Sequence, residues 1–242
     1  MAVFNPLLQA LSQRAEAGRV ANFWLRDDDA VIPTPALERF LVLTRRFGVP
    51  ATLAVIPAGT GPALAERLAD ESGISVAVHG WSHTNYAMPD QKKRELGIER
   101  PLELVLGELG RGLDTLRALH PQRFVPVLVP PWNRIDAGLV PHLRMLGFRA
   151  LSVYGPEKPA ALPVVNTHVD VMDWHGTRGG RDAAELVAGI VARLSDMEQG
   201  GSMGLLTHHL VHDEAVWSFL EGLFAATASH PGCRWTPVSG LI

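Results

Sequence analysis

The chain has 242 residues, 47% of them hydrophobic and 19% charged, a composition that suits a globular fold burying roughly 70–75% of its unfolded-chain surface. Lys and Arg total 22 against 25 Asp and Glu, with no long run of either sign, which argues against nucleic acid or an anionic membrane as a partner. Cys233 is the single cysteine, so an intrachain disulfide and a Cys-rich zinc site are excluded.

The N-terminal stretch carries Gln9, Arg14, Glu16 and Arg19 and lacks an uninterrupted apolar core. It reads as an amphipathic helix with Leu7, Leu8, Leu11 and Ala15 on one face, not as a signal peptide. No segment approaches 18 consecutive apolar residues, so the expected location is the cytoplasm. Asn22–Arg26 reads as a strand that runs into Asp27-Asp28-Asp29. Thr34 then offers an N-cap, Pro35 a first-turn proline and Gly48 the stop of a helix. Strands are expected at Ala51–Ile56 and Ile74–His79, with a helix over Pro62–Glu71 between them. A long polar loop covers Asn85–Arg100, followed by the longest helical pattern, Leu102–Leu119, and a strand at Phe124–Val129. Further on come a helix over Asp136–Leu146, strands at Ala150–Tyr154 and Val164–Met172, and a helix over Asp182–Met197. A strand at Leu205–His208 and a helix over about Asp213–Ala228 end the pattern.

Apolar strands alternating with amphipathic helices imply parallel strands covered by helices. An open sheet and a closed barrel share this pattern. Polar residues at the C-terminal strand ends (Asp27, His79, Pro130, Tyr154, Asp170, His208) favour a barrel, which gathers those ends at one mouth. The expected fold is therefore α/β, a distorted (β/α) barrel of seven or eight parallel strands. It would be one domain, with residues 1–18 an N-terminal helix and 19–242 the barrel.

Three features carry chemistry. His79-Gly-Trp-Ser-His83 places two imidazoles four residues apart at a strand end, a spacing that can converge on one metal ion. Asp27–Asp29 ends another strand, and His208-His209 a third. Taken singly, an Asp triplet is more often a turn or a cap, and paired histidines are often structural. All three fall where an apolar strand stops, which is what a metal-dependent hydrolase requires.

In order along the chain, Leu25-Arg26-Asp27-Asp28, His79-Gly-Trp-Ser-His83, Pro130-Pro131-Trp132-Asn133, Asp170-Val-Met-Asp173-Trp174 and Leu205-Leu-Thr-His208 resemble the five motifs of the polysaccharide deacetylase, or NodB-type, superfamily. The resemblance spans about Phe23 to His209 and marks a divergent branch. It implies that Asp28, His79 and His83 hold a divalent metal, usually zinc. It implies Asp27 as the general base for the attacking water, His208 as the acid that protonates the departing amine, and Asp173 as the residue orienting that histidine. It also implies that the backbone N–H of Trp132 helps stabilise the carbonyl oxygen and that Trp174 and Leu206 line the acyl pocket. Trp81 and the other motif tryptophans offer faces for a sugar ring, and His209 or His212 is a substitute for His208 as acid.

Three departures stand out. Val129 occupies the place of the motif arginine that holds the catalytic aspartate, with Arg134 or Arg26 as replacements. Asp29 replaces a usual glycine and adds a carboxylate able to ligate metal or repel substrate. Gly80 replaces a usual serine or threonine. The expected activity is hydrolysis of an amide C–N bond, most simply deacetylation of an N-acetylated sugar, a sugar nucleotide or a lipid-linked glycan precursor. The alternatives are hydrolysis of small cyclic amides or ureides on the same site, and a non-catalytic carbohydrate-binding barrel. A metal-dependent glycosyltransferase explains the Asp triplet but leaves His79 and His83 without a role.

Overall fold

The computed structural model describes residues 2–197 and 201–242. Among the described residues eight strands form: β1 (Ala21–Ala30), β2 (Ala51–Val55), β3 (Ile74–His79), β4 (Phe124–Val129), β5 (Ala150–Leu151), β6 (Val169–Asp170), β7 (Ser202–Thr207) and β8 (Cys233–Trp235). Their order in the sheet is β5-β4-β3-β2-β1-β7-β6, and β8 pairs with β1 off this path. The order is linear, with β5 and β6 as its ends, where a fully closed barrel would give a ring. The helices are α1 (Asn5–Glu16), α2 (Pro35–Phe47), α3 (Pro62–Leu68), α4 (Leu102–Leu119), α5 (Leu143–Leu146), α6 (Ala183–Asp196) and α7 (Glu214–Thr227).

The chain divides into two compact units, one of residues 1–27, 34–51 and 167–241, the other chiefly of residues 28–33 and 52–166. In the first, β1 runs parallel to β7 and to β8 in a register that sets Asp27 opposite Thr207. Helix α1 packs on α6, and α2 on α7. Leu7, Leu11, Phe23, Phe40, Ile190 and Phe224 are fully buried there, each removing apolar surface worth about 1.5–3 kcal/mol. In the second unit β3 pairs in parallel with β4, and β4 with β5. Pro126 has no N–H for the ladder, and the β3–β4 register shifts between Val76 and Val78. Helix α4 covers both strands with Val105, Leu109 and Leu113.

Local chemistry sets the helix ends. The Thr34 hydroxyl accepts from Leu37 N–H at 3.0 Å, and Gly48 closes α2 in the left-handed conformation at φ 64°. Asp182 and Asp213 cap α6 and α7 through their carboxylates.

Four expectations change. Strand β1 does not stop at Arg26 but runs on through the Asp triplet to Ala30. The helix expected over Asp136–Leu146 shrinks to a 3-10 turn at Val140–His142 and the single turn of α5, because Pro141 cannot donate to the helical ladder and restrains its predecessor. Strand β5 stops at Leu151, since Asn166 Oδ1 takes the Val153 N–H at 2.9 Å and its amide donates to Gly155. Strand β6 is only Val169–Asp170, and β8, three residues long, has no counterpart in the sequence reading. Among the described residues no helix is long and apolar enough to cross a membrane.

Candidate functional site

In the second unit, His79 at the end of β3 stands in register with Val129 on β4. Its Nδ1 lies 2.9 Å from the Val129 carbonyl. A carbonyl can only accept, so Nδ1 carries the proton and Nε2 faces the other way, which is how metal-binding imidazoles are commonly oriented. That Nε2 is 3.1 Å from Asp29 Oδ1, and His83 Nε2 is 3.3 Å from the same oxygen. The three donor atoms all lie within 4.8 Å of one another. Ligands about 2.0–2.1 Å from a tetrahedral ion sit about 3.3 Å apart, so one carboxylate oxygen and two imidazole nitrogens fit a divalent cation of the zinc or cobalt type.

The carboxylate brought to the two histidines is that of Asp29, whereas the resemblance implied Asp28. Asp29 has φ 73°, a left-handed conformation that glycine adopts most readily, and it swings the side chain out of the regular strand alternation. Asp28 is buried and acts on both histidines through its charge. Burial alone would lower the His79 pKa. The hydrogen bond to Asp29, the Asp28 and Asp29 charges and the Val129 carbonyl outweigh it and hold His79 above its ordinary value. His83 is held below its ordinary value by burial and the neighbouring His79 charge, against the pull of Asp29 and Asp28.

The loop that carries His83 is fastened by a residue outside every motif. Glu95 is fully buried, and its carboxylate accepts from the backbone N–H groups of Trp81, Ser82 and His83 at 2.8–3.3 Å. The Ser82 hydroxyl donates to it as well, at 3.2 Å. Gly80 makes room for this: at φ 58°, a Cβ there would sit 2.2 Å from Glu95 Oε2 and 2.6 Å from Pro131. A side chain at position 80 and the Glu95 carboxylate in this place would therefore exclude one another. Trp132, itself at φ 56°, packs its ring on His83 with centroids 4.3 Å apart. Backbone strain of this kind costs on the order of 1–3 kcal/mol per residue and gathers at functional sites.

The first unit holds a second Asp–His grouping. Asp27 is buried beside His209, ring Nδ1 to Oδ1. Its other oxygen accepts from Thr207 Oγ1 at 2.7 Å and from His209 N–H at 2.9 Å. Burial would raise the Asp27 pKa, but the charge and hydrogen bond of His209, with smaller help from His212 and Thr207, hold it below the ordinary carboxylate value. His209 thereby supplies the positive partner for which sequence reasoning named Arg134 or Arg26. Arg134 instead donates from Nη1 to the Lys93 carbonyl at 2.8 Å.

His208, proposed as acid, meets the edge of Trp174 at 4.8 Å between centroids, and its backbone N–H donates to His212 Nε2 at 3.1 Å. Asp173, expected to orient His208, directs its carboxylate to the N–H groups of Gly176 and Thr177 at 3.0 and 2.8 Å. Those bonds lower its pKa. Trp174 is anchored by its indole N–H on Asp170 at 2.8 Å, and Leu206 is fully buried in β7. Trp81 lies under the Arg111 guanidinium. His168 is structural, since its Nδ1 accepts from Gly204 N–H at 3.0 Å.

No family model and no curated protein matches the sequence. Solved structures do match. A Mycobacterium smegmatis protein assigned to the polysaccharide deacetylases superposes with a TM-score of 0.69 at 15% identity, over 91% of this chain and 89% of that one. The chain has the fold of the polysaccharide deacetylases. A Bacillus subtilis peptidoglycan deacetylase gives 0.60 at 18% identity over 92% and 90% of the two chains. A family 4 acetyl xylan esterase of Clostridium thermocellum, solved with a cobalt ion, gives 0.55 at 14% identity over 90% and 89%. The distorted (β/α) barrel expected from the sequence is thereby borne out.

Proposed function

We propose that the protein is a metal-dependent hydrolase that removes an acyl group from an amide nitrogen of an N-acetylated sugar or glycan precursor. The observation that carries this reading is the convergence of Asp29, His79 and His83, with the His79 tautomer fixed by Val129, in a fold shared with deacetylases. A divalent ion, zinc in our proposal, would there polarise the acyl carbonyl and acidify a water at neutral pH. Asp29, His79 and His83 hold the ion, while Glu95 and Trp132 keep His83 in place. The base role belongs to Asp27, whose surroundings keep it ionised. His208 delivers the proton to the leaving amine, its ring set against Trp174.

Elemental analysis of protein purified without added metal tests the reading. Near-stoichiometric metal is expected in the wild type and none in His79→Ala/His83→Ala. Acetate release from N-acetyl sugars should stop with a chelator and in Asp27→Asn. Activity that survives both treatments sinks the proposal.

A further inference from the structure

Outside the metal cluster, the second unit contains a cavity of about 630 Å³, within the size range of small-ligand sites. Its polar wall is Gln91, Lys92, Arg94, Asn133 and Arg134, and its apolar wall includes Leu151 and Val153. No Asp or Glu lines it. Arg94 spends its charge on a bidentate pair with Glu99. Arg134 uses one N–H on the Lys93 carbonyl and retains the rest of its fork. Lys92 and Arg134 therefore leave the cavity net positive, with the amides of Gln91 and Asn133 as neutral donors.

The walls are built in advance of any ligand. Asp136 N–H donates to the Leu96 carbonyl at 2.8 Å, and Leu96 bridges Ile135, so the loop before α4 is tied to the segment after β4. Tyr86 N–H donates to the Arg94 carbonyl, and Arg94 N–H to Asn85 Oδ1, each at 3.0 Å. Glu95, between the lining residues and Leu96, is the residue that fastens the His83 loop. Asn133, which lines the cavity, directly follows Trp132, whose ring rests on His83.

We propose that this cavity is a phosphate subsite and that the substrate is a phosphorylated acetamido sugar, its phosphate held by Lys92 and Arg134. A guanidinium fork and an ammonium suit a phosphate group, with the amides completing its hydrogen bonds. The proposal rests on the deacetylase reading for the rest of the substrate, but binding at the cavity is measurable without turnover.

Calorimetric titration of the full chain with N-acetylglucosamine 1-phosphate, N-acetylglucosamine, N-acetylmuramic acid and inorganic phosphate tests it. The sugar phosphate is expected to bind at least about tenfold more tightly than the neutral sugar, and more weakly as salt rises. Exposed Lys92 tolerates replacement, and Lys92→Gln should weaken sugar phosphate binding about tenfold. Arg134→Gln should do the same, with a thermal melt to show that the chain remains folded. His79→Ala/His83→Ala should retain the binding, which separates failure of the metal site from failure of the cavity. Equal affinity for neutral and phosphorylated sugar, or unchanged affinity in Lys92→Gln, overturns the proposal. Binding of N-acetylmuramic acid as tight as the sugar phosphate overturns the assignment to phosphate.

Discussion

Asp27 and Asp29 lie two residues apart on β1, and each meets histidine, yet the two groupings are built differently. Around Asp29 one oxygen faces two imidazole nitrogens that do not otherwise need it, and the side chains of Asp29 and His83 are 32% and 23% exposed. Around Asp27 the oxygens are taken up by Thr207 and His209, and both side chains of the Asp27–His209 pair are 0% exposed. The first arrangement has lone pairs converging on a reachable point, which is what a cation requires. The second sets the proposed base, Asp27, against a histidine that holds its charge in place. Residue type alone does not separate a candidate ligand set from a charge-holding pair; the direction and accessibility of the lone pairs do.

Replacing both histidines of the open cluster should have the largest effect, with metal content and acetate release in His79→Ala/His83→Ala falling to background. The buried Asp27–His209 pair should answer with stability as well as activity. His209→Ala leaves the buried Asp27 charge uncompensated, and urea unfolding should show a loss of about 3–5 kcal/mol. A loss under about 1 kcal/mol would mean that the pair is not closed.

His212, next to this pair, makes the closed region sensitive to acid. Burial, joined by the His209 and His208 charges and resisted by Asp27 and Asp213, brings its pKa from 6.5 to about 4. The unfolded chain takes up this proton near 6.5 while the folded one resists to about 4. Stability should therefore hold above pH 6.5 and fall between there and pH 4 by about 3 kcal/mol. Unfolding of His212→Gln across that window should show a flatter dependence, and a dependence as steep as that of the wild type would refute the assignment.

The smallest effect belongs to the fastening of the open cluster. Glu95→Gln keeps the shape but gives up acceptor capacity toward three backbone N–H groups. Metal affinity in a competitive titration should fall about 10- to 100-fold with the fold retained. Unchanged affinity would show that the His83 loop holds itself.

Much of this was legible along the chain. Strands β3 and β4 and helix α4 lie where the apolar runs place them, and Thr34, Gly48, Asp182 and Asp213 act as the end signals their types imply. These features depend on periodicity and on contacts a few residues apart, so a linear reading finds them. The short α5 and β5 were harder, because Pro141 and the Asn166 side chain overrule the local apolar pattern. That His79 and His83 can meet at one point was visible from their spacing and the strand before them. Which carboxylate meets them was not, since it turns on one left-handed backbone angle at Asp29.

Glu95 and His209 show the remaining limit. Glu95 reaches the N–H groups of residues 12–14 positions away, and His209 meets an aspartate 182 positions earlier. The sequence by itself determined the alternation of strands and helices, the lack of an intrachain disulfide among these residues and the residue types brought to the strand ends. Only the tertiary structure decided which of those residues share a point in space. Side-chain convergence is set by register, by backbone angles at single residues and by loops closing over long sequence separations, and none of these leaves a periodic signal.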